Sequence, residues 1–281
     1  MAKPEDRVQW IIKKLFPRSF DIKKRAMTAW KFGTADAVVV SYPKSGRTWL
    51  RATLTFYFAE RYGLEDPPLL EFANLHYLDA RIPKIFFTHD DDPNARPEAL
   101  EHDKSAYHKK RVLYLARDPR DVCVSMYFHR TKRDLDIDVP IFDFANGPDG
   151  GLRTTIAFMN IWAEALPKVP ESLVISYEAM HADPEQTLAD ALRFLGQEPD
   201  LDCVKAALER SRFDRLQSME KKGEFESGRL TAADTEDKDS FKVRRGKVGG
   251  YTDYFDDAQQ ATLNEVATKQ LSSYFDPFLR R

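Results

Sequence analysis

The sequence predicts an α/β fold, a central parallel sheet flanked by helices, on three observations. Short β-branched or apolar runs recur along the chain. The first is Val38-Val39-Val40, and a consecutive β-branched run suits a strand covered on both faces. Two of these runs lead through a polar turn into a helical pattern: the first through Tyr42-Pro43-Lys44-Ser45-Gly46-Arg47-Thr48-Trp49, a later one through Arg117-Asp118-Pro119-Arg120-Asp121. Strands that alternate with helices in this way build parallel sheets, because a parallel neighbour needs a long crossover.

Each element follows from its local pattern. Residues 1–36 read as an N-terminal helical segment. Val8, Ile11, Ile12, Leu15 and Phe16 form its stripe, and Pro17 ends that helix. Packing on the protein's own core is the favoured reading of the stripe. Weak contact of residues 7–16 with a membrane surface is the alternative, since Trp10, Lys13 and Lys14 suit an interfacial helix. After the first strand, Pro43 and Gly46 stop the extended run and allow a tight turn. Leu50, Leu54, Tyr57 and Phe58 then fall on one helical face. Asp66-Pro67-Pro68 marks a loop, and Lys84 to His89 a second strand with His89 at its carboxyl end. Residues 90 to 110 read as loop and a short polar helix. Arg111 to Ala116 is the third strand, and Pro119 suits the first turn of the helix that carries Val122, Ser125, Met126 and His129.

Residues 131 to 151 are polar and rich in Asp, Pro and Gly, a surface excursion, and Leu152 to Leu166 returns to a helix. Ser172 to Tyr177 is the fourth strand. Asp183, Pro184 and Gln186 read as N-cap, first-turn proline and capping-box partner of a helix that runs to Leu195 and stops at Gly196. Another helix covers Leu201 to Glu209. From Ser218 to Lys242 the chain is densely charged and reads as a solvated loop or a lid rather than core, with 218–246 expected to be mobile. A basic, Gly-rich segment, Phe241 to Tyr251, precedes a last helix from Asp257 to Tyr274. With no repeat and no linker, 1–281 is expected to be a single domain.

Composition narrows the function classes. A net charge of −2 over 281 residues provides no basic field for nucleic acid. Two cysteines, Cys123 and Cys203, are too few for a disulfide framework or a metal cluster, and a reducing cytoplasm is the expected compartment. No run approaches the ~20 apolar residues of a membrane span, and the first residues lack the apolar core of a signal peptide.

Ligands of open parallel sheets bind beyond the carboxyl ends of the strands. Lys44, His89 and Arg117 each fall just past such an end, so parallel strands place all three on one rim. A helix N-terminus offers unpaired N–H groups and a partial positive charge. Lys44, Ser45, Arg47 and Thr48 add donors there, which predicts a phosphate or sulfate pocket. The loop is not a Walker A sequence, because Lys44 precedes Gly46 instead of following a second glycine. There is also no clear acidic strand end to hold Mg²⁺. Singly, each residue has an innocent reading. Lys44 could be a solvated turn residue, His89 a partner of Asp90 to Asp92, and Trp49 plain core. Arg117 and Arg120 could form surface pairs with Asp118 and Asp121, and Arg244-Arg245-Gly246-Lys247 a basic surface loop. His76, His102, His108, His129 and His181 carry no motif.

Jointly the residues resemble one family. Tyr42 to Trp49 is similar to the 5′-phosphosulfate loop Y-P-K-S-G-T-T-W of the cytosolic-type sulfotransferases. Arg117 and Ser125, eight apart on a strand-to-helix turn, resemble their 3′-phosphate motif, and Val243 to Gly249 their R-K-G-x-x-G segment. Thr88-His89 resembles the pair carrying the catalytic histidine, Tyr177 to Met180 the Y-E-D-M segment, and Ser211-Arg212-Phe213 the T-S-F segment. The matches keep the family's order from about residue 38 to 251.

The resemblance implies a P-loop-like nucleotide-binding architecture. It also implies sulfuryl transfer from 3′-phosphoadenosine 5′-phosphosulfate to a hydroxyl or amine of a small-molecule or lipid acceptor, without a metal. Lys44 would stabilise the departing phosphate, and Ser45, Gly46, Arg47 and Thr48 would bind the 5′-phosphosulfate. Arg117 and Ser125 would hold the 3′-phosphate, with Arg244, Arg245 and Gly246 closing over it. Trp49 and Phe213 would flank adenine, with Tyr177 and Ser211 at its edge. His89 would be the general base. Three departures stand out. Arg47 replaces a threonine, Phe87 stands where many members carry lysine, and Gly250-Tyr251 replaces D-W. The dimerisation motif of the animal enzymes is not recognisable. Phe86, Phe87, Tyr127, Phe128, Phe142 and Phe144 are candidate acceptor walls or, equally, core. A metal-dependent small-molecule kinase on a related P-loop fold and a non-catalytic nucleotide-binding relative are the competing readings.

Overall fold

The computed structural model describes residues 17–279, apart from residues 93, 149 and 226–229. The stripe expected over residues 8–16 lies outside the described residues. Helix α1 (Pro17–Thr34) leads into β1 (Ala37–Val40), α2 (Arg47–Tyr62), β2 (Ile85–Thr88), β3 (Arg111–Ala116) and α3 (Pro119–His129). Helices α4 (Ile141–Asn146) and α5 (Leu152–Ala165) precede β4 (Glu171–Ser176). Then follow α6 (Tyr177–Ala182), α7 (Pro184–Phe194), α8 (Leu201–Arg210), α9 (Phe213–Lys222), α10 (Asp257–Gln270) and α11 (Asp276–Leu279).

The four strands form one parallel sheet in the order β2-β1-β3-β4. Alternation along the strands divides the core in two. Val38, Val40, Val112, Tyr114 and Ala116 point into a cluster with residues of α3, α5 and α10. Ala37, Val39, Ile85, Leu113, Leu115 and Ile175 point into a second cluster with α2, α7, α8 and α9. Both faces are therefore covered, which is why β1 tolerates three consecutive valines.

Several local expectations are corrected. Tyr177 does not end a strand but opens α6, because the Ser176 hydroxyl accepts from the Ala179 N–H and caps that helix. The polar excursion of 131–151 contains α4, with Phe144 and Ala145 buried. The charged run from 218 is not wholly solvated: Glu220, Leu230, Ser240 and Phe241 are buried. The final helix stops at Gln270, and Tyr274 falls in a separate 3-10 turn.

Candidate active site

The sheet register sets the site. Val40 pairs with Thr88 on one side and Tyr114 on the other, and Ala116 pairs with Ser176. The chain thus leaves all four strands on one rim, which carries the loop after β1, His89, Arg117 and Tyr177. Between β1 and α2 the backbone turns through two left-handed residues, Lys44 at φ 70 and Gly46 at φ 98. Gly46 is the N-cap of α2 and supplies no side-chain cap, so the first N–H groups of that helix keep their capacity to bind an anion. A Cβ on Gly46 would lie 2.6 Å from the Tyr177 ring. Glycine is therefore required here by conformation and by space together.

A cavity of about 710 Å³ opens on this rim, within the usual range for a small-molecule site. Its walls include Lys44, Gly46, Arg47, Thr48, Trp49, His89, Arg117, Ser125, Tyr177, Ser211, Phe213, Arg244, Arg245 and Gly246. Every catalytic and nucleotide-binding candidate from the sequence is thereby brought to one cavity except Ser45, which is buried.

His89 is held in a defined tautomer. Its Nδ1 lies 2.9 Å from the Ser41 carbonyl, which only accepts, so Nδ1 carries the proton and Nε2 the lone pair. An Arg47 Nη2–H donates to that Nε2 at 2.5 Å. The neighbouring Asp90 is occupied elsewhere. Its carboxylate pairs with buried Lys104 at 2.7 Å and accepts from the Tyr107 hydroxyl and from Trp162 Nε1. That network fixes the backbone just after His89.

The second half of the cavity is built around α3. Arg117 donates to the Lys44 carbonyl at 2.8 Å, lies 3.9 Å over the Tyr177 ring and 3.9 Å from Asp121. Its Nε is buried without a hydrogen-bond partner among the described residues. Asp121 accepts from the N–H groups of Gly249 and Tyr251 at 2.7 and 2.9 Å, tying α3 to the Gly-rich segment. Burial pushes the Asp121 carboxyl up from its ordinary range. Arg120 pairs with Asp118 and donates to Asn264, so neither arginine forms the loose surface pair considered from sequence. Arg244 stacks 4.0 Å over Phe128 and bonds Asp239 and the Tyr254 hydroxyl. Arg245 pairs with Asp253 at 2.7 Å.

The aromatic groups sit where the glycines allow. Trp49 meets Tyr177 edge-on at 5.6 Å and the His181 ring at 4.7 Å. A Cβ on Gly246 would lie 2.4 Å from the Phe213 ring. Ser211 is engaged, its Oγ accepting from Thr53 and donating to the Leu208 carbonyl. Of the candidate acceptor walls, Phe144 is buried core and the other five are partly buried side chains packed against the core. Phe86, Tyr127, Phe128, Phe142 and Phe144 belong to one cluster and Phe87 to the other, and none of the six lines the cavity.

The cavity is strongly cationic. Burial pushes the Lys44 ammonium down to about 7, and the charges of Lys242 and Arg133 push the same way. His129 also lines the cavity and is driven down to about 3, first by burial and then by Lys44, Arg133 and Lys242. Sequence reasoning gave His129, His181 and Lys242 no role, yet all three line the site. The available signal was helical spacing: His129 lies one turn beyond Ser125 on α3. His181 similarly lies one turn beyond Tyr177 on α6.

A parallel sheet whose carboxyl rim gathers a helix N-terminus, Lys44, His89 and clustered arginines around one cavity is the architecture of an α/β nucleotide-binding protein. The chain belongs to the sulfotransferase family, whose sulfotransferase domain matches residues 34–275. It is 27% identical to cytosolic sulfotransferase 17 of Arabidopsis thaliana over 255 residues, 78% of this chain and 69% of the relative. It is 25% identical to flavonol 3-sulfotransferase of Flaveria bidentis over 266 residues, 85% of this chain and 82% of the relative. Mouse sulfotransferase SULT7A1 complexed with PAP has a similar fold, with a TM-score of 0.60 at 22% identity over 85% of this chain and 86% of that one. Retinol dehydratase, solved with androsterone and inactive cofactor PAP, scores 0.60 at 20% identity over 85% and 81%. The P-loop-like architecture expected from the sequence is the one observed.

Proposed function

We propose that the chain transfers a sulfuryl group from 3′-phosphoadenosine 5′-phosphosulfate to a hydroxyl or amine of a small-molecule or lipid acceptor, in the cytoplasm. One observation carries this reading. A single cavity is lined by the α2 N-terminus, Lys44 and His89 together with Arg117, Ser125, Arg244 and Gly246. Cationic and donor groups from several strand ends, with aromatic groups among them, suit a nucleotide bearing charge at both its 5′ and 3′ positions. The walls are rich in cations, matching so anionic a ligand. Arginine's planar fork matches phosphate oxygens, and the buried, unpartnered Arg117 Nε suits one of them. Among the described residues no helix is long and apolar enough to cross a membrane. Relatives include proteins named for flavonol and hydroxysteroid acceptors, which supports a hydroxyl-bearing acceptor.

The nucleotide supplies the sulfuryl group and a good leaving group. His89, with Nδ1–H held on Ser41, keeps Nε2 as the atom that can take the acceptor proton. The acceptor oxygen bonds to sulfur as the bond from sulfur to the bridging oxygen breaks, and that electron pair departs with the 5′-phosphate. Lys44 would meet the charge so developed. Its low proton affinity in so cationic a cavity would rise as the phosphate becomes more anionic.

The reading is tested by labelled sulfuryl transfer to a panel of hydroxyl and amine acceptors, alongside melting curves with adenosine 3′,5′-bisphosphate or with ATP and Mg²⁺. Stabilisation by the metal-free bisphosphate and label transfer are expected; stabilisation by ATP and Mg²⁺ alone points to the kinase reading instead. Replacing His89 with alanine should reduce transfer by about 10²- to 10⁴-fold while the bisphosphate still binds. Unchanged turnover would remove His89 from the base role.

A further inference from the structure

Arg47 opens α2 immediately after the Gly46 cap, and its guanidinium reaches to His89 beyond β2. One side chain therefore spans the gap between the anion cradle and the Nε2 of the base, and both ends line the same cavity. An in-line displacement places the transferred group in that gap, between a leaving oxygen at the cradle and an acceptor oxygen beside Nε2. The guanidinium can only donate, and a sulfuryl group offers it anionic oxygens, which bind a guanidinium fork more strongly than one neutral imidazole nitrogen does. While Arg47 donates to Nε2, that lone pair is committed and cannot take the acceptor's proton.

We propose that Arg47 is the ligand of the sulfuryl oxygens, and that its transfer from His89 Nε2 to those oxygens makes the base available. This rests on the sulfotransferase reading and adds an order to it. The donor, by drawing Arg47 onto its sulfuryl group, frees Nε2 for the acceptor; the spent bisphosphate has no sulfuryl group and leaves Arg47 on the ring. During transfer the acceptor proton goes to Nε2, and Arg47 remains on the oxygens that travel with sulfur.

Calorimetric binding of two ligands, without any acceptor, tests the assignment. One is adenosine 3′,5′-bisphosphate. The other is a donor analogue whose bridging oxygen is replaced by methylene, so that the sulfonate is retained but cannot be transferred. Arg47→Thr should bind the bisphosphate within about threefold of wild type and lose about 10- to 100-fold for the sulfonate analogue, the size expected for charged hydrogen bonds. Arg47→Lys, which keeps the charge but not the fork, should fall between. In the wild-type protein labelled with nitrogen-15 at histidine, the analogue should shift the His89 Nε2 resonance and the bisphosphate should not. Equal losses for both ligands would place Arg47 on the 5′-phosphate, and no loss for either would confine it to the imidazole; both results overturn the proposal. Wild type binding neither ligand removes the sulfotransferase reading and the inference with it. Wild type binding both, with the first pattern absent, rejects the inference alone.

Discussion

The Arg117 guanidinium donates to the main-chain carbonyl of Lys44 at 2.8 Å, so the arginine of the proposed 3′-phosphate region also braces the loop of the 5′ region. Lys44 is held at φ 70, a conformation that is costly for a residue other than glycine and persists only where its surroundings enforce it. Arg117 and Arg244 should therefore differ when replaced. Arg244→Ala is expected to weaken the bisphosphate much more than its 3′-dephosphorylated analogue and to leave kcat near wild type. Arg117→Ala should show the same ligand preference and also lower kcat, because the Lys44 backbone loses its brace. Binding of the two nucleotides and saturation kinetics measure both effects. A fall in kcat for Arg244→Ala alone would reverse the assignment.

Lys44 should couple nucleotide binding to pH. Burial and the neighbouring Lys242 and Arg133 lower its proton affinity to about 7, whereas an unfolded lysine titrates near 10.4. Between those values the unfolded chain holds more protons at this site. The Lys44 contribution therefore penalises folding fully below about pH 7, and the penalty is relieved as pH rises toward the unfolded value. A bound phosphate favours the charged amine and raises its proton affinity, so at pH 8 binding should take up as much as about one proton. The bisphosphate affinity should fall as pH rises above 7. Calorimetry at pH 8 in buffers of different ionisation enthalpy reads the proton directly, and Lys44→Met should abolish the uptake. Equal uptake in that variant would assign the proton to another group.

The rim was legible in the sequence because it depends on strand ends. Val38 to Val40, Ile85 to Thr88 and Arg111 to Ala116 are short apolar runs with abrupt polar ends. Once they are parallel, Lys44, His89 and Arg117 must share one edge. What escaped depends on tertiary partners. Glu220 lies in a charged run, and its burial follows from backbone donors brought to it by residues 242 and 243. Gln186 has the spacing of a capping box, yet its side chain bonds Asp190 while the Asp183 N–H is satisfied by the Ala179 carbonyl. The six phenylalanine and tyrosine side chains proposed for the acceptor could not be separated from core by composition, since apolar surface alone does not say which cavity it faces. The Arg47–His89 contact was equally hidden, because nothing local links two residues on different loops.

Gly46 and Gly63 provide an internal control for the loop. Both have positive φ, 98 and 66, but a Cβ on Gly63 would meet nothing within 4 Å. Gly63→Ala should then cost only backbone strain, about 1–2 kcal/mol, and leave bisphosphate affinity unchanged. Gly46→Ala should cost more, because the new methyl drives into the Tyr177 ring, on which Arg117 rests, and nucleotide binding should weaken with stability. Urea denaturation and calorimetry separate the two. Equal stability losses, with binding intact in both variants, would mean that the ring gives way without consequence.

Glu220 holds the segment that leads to Arg244. The residue is 1% exposed, and its carboxylate accepts from the N–H groups of Lys242 and Val243 at 2.7 and 2.8 Å. Arg133, 3.8 Å away, donates to the carbonyls of Ser240 and Thr231. The charge is thus satisfied by backbone dipoles and one guanidinium, and the residues before Arg244 are fastened to α9 rather than left as an open loop. Glu220→Gln preserves shape but turns an amide N–H toward one of those backbone donors, leaving a buried N–H without an acceptor. The expected cost is about 1–3 kcal/mol, with a loss of bisphosphate affinity, since Arg244 and Gly246 follow directly. Glu265→Gln breaks only an exposed pair with Lys269 on α10 and should leave stability and binding close to wild type. Hydrogen exchange should show faster amide exchange at residues 242 and 243 in Glu220→Gln. Unchanged protection there would mean that the segment is held by Arg133 alone.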